Sequence, residues 1–129
     1  MQKFRKLLNK VKKLNLPKDK FAVFGSGPLA VRGIRDINDI DLIVKPELWY
    51  ELIKKYPVTD KYGGIIEIGE IEIFKDWKPW FDDVDELIDS ADIFEGIRFV
   101  KLKYLLEWKK AFNRPKDKKD VKIIKQLID

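Results

Sequence analysis

The chain has 129 residues, 45% of them apolar, so it can bury one hydrophobic core and is predicted to form a single domain over residues 1–129. It contains no Cys and no His, which excludes thiol nucleophiles, Cys/His zinc sites and catalytic histidines. Any chemistry must therefore use carboxylates, Lys, Arg, hydroxyl groups and bound metal. No apolar run approaches the roughly 20 residues that span a bilayer, and no signal-peptide core is present, so we expect a soluble, cytoplasmic protein.

The net charge of +5 is distributed unevenly. Residues 1–20 hold eight basic and one acidic side chain (+7), residues 21–100 nine and seventeen (−8), and residues 101–129 ten and four (+6). The basic ends are either solvated faces of terminal helices or surfaces that neutralise a polyphosphate or nucleic acid at an acidic site. The chain also combines 22 Lys with two Gln and one Met, a bias that suggests a thermophilic source.

Apolar periodicity and turn residues predict the elements of the first half. Residues 4–14 have helical spacing, in a helix that stops before Pro17. A short buried strand follows at residues 21–24, then a short helix at 29–34 and a second strand at 39–44. Pro46, at a first helical turn, opens a third connecting segment over residues 47–56.

The second half combines strands and helices. Residues 65–74 predict two β segments separated at Gly69, and residues 82–89 an acid-rich helix start. Residues 93–100 fit strand or loop, and residues 101–112 and 116–128 predict two closing helices. We therefore expect an α+β (mixed α/β) fold, with a small mixed β-sheet flanked by helices and with C-terminal helices.

Two carboxylates share the second predicted strand. Alternation points Asp39 and Asp41 to the same side, with their Cα atoms about 7 Å apart. Such a pair repels unless a cation lies between its members, and Mg²⁺ prefers hard oxygen ligands of this kind. The alternative is an edge strand on which both carboxylates face solvent while Ile40 and Leu42 face the core.

Two further features accompany this pair. Gly25 and Ser26 end the first strand, where a glycine lets the backbone approach a phosphate, although alone they are equally consistent with an ordinary turn. Glu70 and Glu72 are expected on one face of a later strand. Either glutamate could reach the metal pair, or both could simply face solvent.

Together these residues resemble the nucleotidyltransferase superfamily related to the DNA polymerase β palm, especially its small stand-alone bacterial and archaeal members. The pattern is a strand ending in Gly-Ser, an Asp-hydrophobic-Asp strand, and a single acid between hydrophobics on a later strand. Its positions here are Gly25, Ser26, Asp39, Asp41 and Glu72. Residues 31–42 and the tail 105–121 add to the resemblance, which covers roughly residues 20–128 and favours Glu72 over Glu70.

The resemblance implies Mg²⁺-dependent transfer of a nucleoside monophosphate from an NTP to a hydroxyl. Two Mg²⁺ ions, with Mn²⁺ as an alternative, would be held by Asp39, Asp41 and Glu72, while Gly25 and Ser26 cradle the phosphates. A small molecule or a protein is favoured over nucleic acid as the acceptor. Two other functions stay open: a non-catalytic nucleotide- or partner-binding module, such as a toxin–antitoxin component, and a basic RNA-binding domain.

The last two predicted helices carry charged residues on their apolar sides. Lys109 must extend to solvent or meet an anion, and a nucleotide phosphate is one candidate. Asp117 and Asp120 lie on the apolar side of the last helix. Asp117 is most simply an acid of the first helical turn, with Arg114 or Lys109 as partner, and a general base is the minority interpretation.

Overall fold

The structure, a computed structural model, describes residues 2–128. Within this range the chain forms six α-helices and one seven-stranded mixed sheet, which confirms the predicted α+β fold. No helix among these residues is both long and apolar enough to cross a membrane. The helices are α1 Gln2–Lys13, α2 Gly27–Ala30, α3 Pro46–Leu52, α4 Val84–Asp89, α5 Leu102–Phe112 and α6 Pro115–Ile128. The strands are β1 Phe21–Phe24, β2 Ile40–Val44, β3 Val58–Thr59, β4 Ile65–Ile68, β5 Ile71–Phe74, β6 Asp92–Phe94 and β7 Ile97–Phe99.

Strand β2 lies in the interior of the sheet, whose order is β3-β4-β5-β2-β1-β7-β6. It pairs antiparallel with β1 and parallel with β5. The edge-strand alternative for the Asp39 and Asp41 pair is therefore wrong. An interior strand has no free backbone edge, so a polar side chain on it faces whatever covers that face of the sheet.

Helices cover both faces of the sheet. On one face, the apolar stripe of α1 packs with α3 against inward side chains such as Val23, Leu42 and Ile73. On the other face, α4, α5 and α6 pack against Ala22 and Ile43. Because side chains alternate along a strand, Asp41 points to this second face, beneath the C-terminal helices.

Two predicted helices are shorter in the structure. Helix α2 spans Gly27–Ala30 rather than residues 29–34. Gly33 has a φ of 77°, and the Ile34 N–H donates to the Leu29 carbonyl, so the chain leaves the helix in a tight turn. Helix α3 likewise ends at Leu52, and turns replace the helix expected up to residue 56.

The undecided stretch at residues 93–100 is a β-hairpin. Strands β6 and β7 pair antiparallel around Glu95 and Gly96, which both have positive φ. Positive φ at both central residues is the geometry of a type I′ turn, whose twist matches that of paired strands. The sheet thus gains two strands that the hydrophobic pattern alone left ambiguous.

The prediction that Glu70 and Glu72 share one face is wrong. Glu70 lies in the turn before β5, where strand alternation does not yet apply, and its carboxylate pairs with Lys3 and Lys10 of α1. Glu72 is the second residue of β5, directly opposite Asp41 in the parallel register. Only Glu72 therefore faces the same side as Asp41.

Candidate functional site

Three carboxylates converge at one end of the central strands. Asp41 lies near the start of β2, Glu72 is its neighbour on β5, and Asp39 lies in the bend that precedes β2. Each offers an oxygen within 4.8 Å of the others. Asp39 is exposed, Asp41 is partly buried and Glu72 is buried, so the group opens to solvent through Asp39.

Burial, together with the negative charges of Glu72 and Asp39, raises the pKa of the Asp41 carboxyl to about 8. Burial also raises the pKa of the Glu72 carboxyl. The Asp41 Oδ1 atom is buried and has no hydrogen-bond partner within residues 2–128. A buried carboxylate oxygen without a partner is costly, and a divalent cation coordinated by these hard oxygens would satisfy it.

Gly25 allows the backbone to pass close to this group. Its φ is +65°, and a Cβ built on it would lie 2.6 Å from Asp41 Oδ2. Any side chain at this position would therefore displace the Asp41 carboxylate. Ser26 follows as the residue that begins α2, and its hydroxyl makes no capping hydrogen bond. The structure thus brings the glycine turn and the carboxylates predicted from the sequence into one place.

The carboxylates lie in a cleft of about 630 Å³ whose other walls are basic and aromatic. The cations come from four separate parts of the chain, namely Arg35, Lys78, Lys109 and the pair Arg114 and Lys116. The aromatic side chains are Phe24, Tyr62, Phe74, Trp77, Trp80, Trp108 and Phe112. A cleft lined by carboxylates, cations and aromatic rings has the groups needed to hold a metal, phosphates and a flat ring.

Lys109 does not extend to solvent. Its side chain is 3% exposed, and its Nζ lies 3.0 Å from Asp120 Oδ2 and 3.4 Å from Asp117 Oδ1. Lys109 also lines the cleft, so its assignment to nucleotide binding stays a prediction. The anions that it meets in the structure are the two aspartates on the apolar side of α6.

The same aspartates bind two arginines. Arg114 donates from its backbone N–H and its guanidinium to Asp117, and Arg35 donates to Asp120. Burial acts to raise the pKa of the Asp117 carboxyl, but the hydrogen bonds from Arg114 outweigh it and leave this pKa below its usual value. Both arginines line the cleft, so this buried cluster holds them at its wall.

Several cleft residues were missed by the sequence-based reasoning. Arg35 and Lys78 lie in irregular segments without a periodic pattern, and Trp80 belongs to a loop. The only sequence signal of these three residues is their type, and this signal is weak because aromatic and basic residues are frequent throughout the chain. Phe112 had a weak sequence signal, because it lies three residues after Lys109 on the same predicted helix.

Comparison of the chain with protein-family models, curated proteins and solved structures found no match. The resemblance to polymerase β-like nucleotidyltransferases therefore stays a prediction that rests on the motif residues.

Proposed function

We propose that this protein is a metal-dependent nucleotidyltransferase that moves a nucleoside monophosphate from an NTP to a hydroxyl acceptor. The observation that supports the proposal most is the convergence of Asp39, Asp41 and Glu72 beside Gly25, in a cleft that cations also line. The three residues fit Mg²⁺ because they offer only hard oxygens and because one buried oxygen of Asp41 has no hydrogen-bond partner among residues 2–128.

The residues of the cleft divide the work of such a transfer. Bound Mg²⁺ would supply charge neutralisation for the triphosphate and lower the pKa of the attacking hydroxyl. Asp39, Asp41 and Glu72 would hold the metal, and Gly25 would let the triphosphate approach it without a side chain between them. The basic wall would meet the negative charge of the phosphates. Positioning and electrostatics suffice for this chemistry, which suits a chain without His or Cys.

The test is transfer of label from α-³²P-labelled NTPs in the presence of Mg²⁺, with the protein itself, an RNA pool and small polyols as acceptors. We expect Asp39→Asn to lower pyrophosphate release by at least about 100-fold, the scale of losing one group that stabilises transition-state charge. Glu70→Gln is the matched control, because Glu70 is an acid of the same sheet that pairs with α1 instead. Equal activity of Asp39→Asn and the unmodified protein would overturn the proposal.

A second measurement separates catalysis from binding alone. Calorimetric titration with Mg²⁺ and a non-hydrolysable NTP should show metal-dependent nucleotide binding that Asp41→Asn weakens. If nucleotide binds but no acceptor leads to pyrophosphate release, the protein is a non-catalytic nucleotide-binding module.

A further inference from the structure

The two basic ends of the chain differ in how their charges are used. Four of the six basic residues of α1 form ion pairs with acids elsewhere in the fold. Glu70 pairs with Lys3 and Lys10, and Glu95 pairs with Arg5 and Lys12. These ion pairs attach α1 to the sheet, and they leave Lys6 and Lys13 without an ion pair within residues 2–128.

Helix α6 carries its charge differently. Its two acids, Asp117 and Asp120, point inward and form ion pairs with Lys109, Arg114 and Arg35. The lysines on its outer side are all exposed, and none forms an ion pair with another residue in the range 2–128. These are Lys116, Lys118, Lys119, Lys122 and Lys125, which we name the α6 lysine surface. Five like charges without counter-charges repel one another, and a polyanion relieves that repulsion.

The α6 lysine surface begins inside the cleft. Lys116 lines the cleft with the carboxylates, and Lys119 and Lys122 follow at intervals of three residues. Residues three apart on a helix lie side by side, so these lysines form a row that leads outward from the cleft. An anion that extends along this row would have one end near the cleft.

The aromatic wall indicates the kind of polyanion. Phe112 is 43% exposed although it is a large apolar residue, and its ring lies 5.6 Å from the ring of Trp80, with a tilt of 38°. The Arg114 guanidinium lies 4.0 Å above the Phe112 ring. Phe112 is exposed and Trp80 is partly buried. Accessible rings beside a row of cations are the features by which proteins bind single-stranded nucleic acid, because bases stack on the rings while the cations follow the backbone. An acidic peptide would use the cations and leave the rings without a partner.

We infer that the α6 lysine surface and the Phe112 and Trp80 wall bind a single-stranded nucleic acid whose terminal hydroxyl enters the cleft as acceptor. This differs from the acceptor class favoured on sequence grounds. The acceptor role rests on the proposed function, whereas the binding itself does not. In the transfer, the terminal hydroxyl oxygen forms a bond to the α-phosphorus of the NTP and the α–β phosphoanhydride bond breaks. Pyrophosphate leaves, and the hydroxyl proton passes to solvent.

The binding test is fluorescence anisotropy of a short 5′-fluorescein RNA, titrated with protein without NTP at several salt concentrations. The variant Lys118→Gln/Lys119→Gln/Lys122→Gln should raise Kd by about tenfold or more and lower the slope of log K against log salt by about 2. Lys6→Gln/Lys13→Gln/Lys55→Gln is the matched control. It removes the same charge from exposed lysines that have no ion pair within residues 2–128, and it should leave Kd within about twofold. Equal weakening by both triple variants would reduce the effect to net charge and overturn the inference.

The aromatic wall needs a separate variant. Phe112→Ala should raise the Kd for RNA by about tenfold, whereas Tyr50→Ala, another exposed ring outside the cleft, should not change it. Phe112→Ala should leave binding of polyglutamate or anionic vesicles unchanged. Binding of those probes as tight as that of RNA would contradict the assignment to nucleic acid.

The acceptor role is tested by comparing RNA with a free 3′ end and RNA whose terminal hydroxyls are blocked. We expect α-³²P label to enter only the free-ended RNA. RNA binding without any pyrophosphate release on any acceptor would count against the proposed function alone. Pyrophosphate release on other acceptors, with no RNA binding, would overturn this inference alone.

Discussion

At the scale of single residues, Asp41 combines a position in the core with a charge. It lies on an interior strand between Phe24 and Glu72, and its Oδ1 atom has no hydrogen-bond partner in the described part of the chain. A residue chosen for stability at this position would be apolar, because every neighbouring position on the strand is buried and apolar. Such local conflict between stability and chemistry is common where a group must bind a ligand.

The first prediction concerns the pH dependence of stability in EDTA. The Asp41 carboxyl has a pKa of about 8 in the folded state, against an ordinary value of 3.8. At pH values between these two, the folded protein therefore binds more protons at Asp41 than the unfolded chain does. The contribution of this proton binding to the free energy of unfolding is fully present below pH 4 and is lost as pH rises through about 8. Asp41→Asn should therefore gain stability relative to the unmodified protein from pH 5 to pH 9, by about 1–2 kcal/mol at the upper end.

The measurement is thermal denaturation of both proteins across this pH range. Asp19→Asn, which removes the same charge at an exposed position, should show no such trend. A difference between Asp41→Asn and the unmodified protein that is constant with pH would contradict the prediction. Added Mg²⁺ should stabilise the unmodified protein and leave Asp41→Asn nearly unchanged, because a ligand stabilises the folded state in proportion to its affinity.

The second prediction compares alanine substitutions at Gly25 and Gly33, to separate the strain of the backbone from the clash of a new side chain with Asp41. Gly25 and Gly33 both have positive φ, but a Cβ at Gly33 would have no atom within 4 Å, whereas one at Gly25 would strike the Asp41 carboxylate. Both alanine variants should lose about 1 kcal/mol from the left-handed backbone. Only Gly25→Ala should also abolish Mg²⁺ binding, measured by calorimetry. Equal Mg²⁺ affinity in the two variants would show that Gly25 does not control the position of the carboxylate.

At the scale of elements, α5 and α6 are joined by buried charges as well as by apolar contacts. Lys109 of α5 lies between Asp117 and Asp120 of α6, and Asp120 also receives Arg35 from the loop before β2. The charges therefore link the C-terminal helices to the loop that leads into the carboxylate strand. Removing one member of such a buried ion pair destabilises the fold strongly, because the remaining charge is left without a partner.

The third prediction follows from that asymmetry. Lys109→Met should destabilise the protein by about 3–5 kcal/mol, since it leaves two buried aspartates without one of their cations. Lys110→Met, the exposed neighbour on the same helix, should change stability by less than about 0.5 kcal/mol. The measurement is chemical denaturation. Adding Asp120→Asn to Lys109→Met should recover part of the loss, and a purely additive further loss would mean that the two residues do not interact.

At the scale of the whole molecule, ion pairs attach α1 to distant parts of the fold. Glu70 and Glu95 each bind two basic residues of this helix, and Asp36 accepts hydrogen bonds from the backbone N–H groups of Lys3 and Phe4 at its start. A single exposed ion pair contributes little to stability. Carboxylates shared between two cations form networks, whose contribution to stability increases at high temperature. This arrangement is consistent with the composition, which is rich in Lys and poor in Gln and Met.

The fourth prediction is a Tm above about 65 °C, the upper end of the range for mesophile domains. The measurement is calorimetry in low salt and again in high salt, where screening should lower the Tm by weakening the exposed networks. Unfolding that begins near 50 °C would contradict the thermophilic source suggested by the composition.

The sequence by itself determined most of the elements and indicated Asp39 and Asp41, while Glu70 and Glu72 both stayed open as the third carboxylate. Alternation and turn residues predicted β1, β2, β4 and β5, and the helical repeat predicted α1, because these signals are local and depend on two to four neighbouring residues. The spacing of Asp39 and Asp41 was visible in the sequence, since each lies on or beside a strand with a clear pattern, and the family resemblance favoured Glu72 as the third acid.

Only the tertiary structure decided how these parts meet. Strand order placed β2 inside the sheet, which buried Asp41, and pairing with β5 placed Glu72 rather than Glu70 beside it. The basic and aromatic lining of the cleft comes from β1, β5, α5, α6 and several connecting segments that are distant in sequence. The same is true of the ion pairs of α1 and of the α6 lysines that have no ion pair within residues 2–128, because pairing depends on which acids the fold brings within reach. Long-range contacts of this kind leave no local period in the sequence.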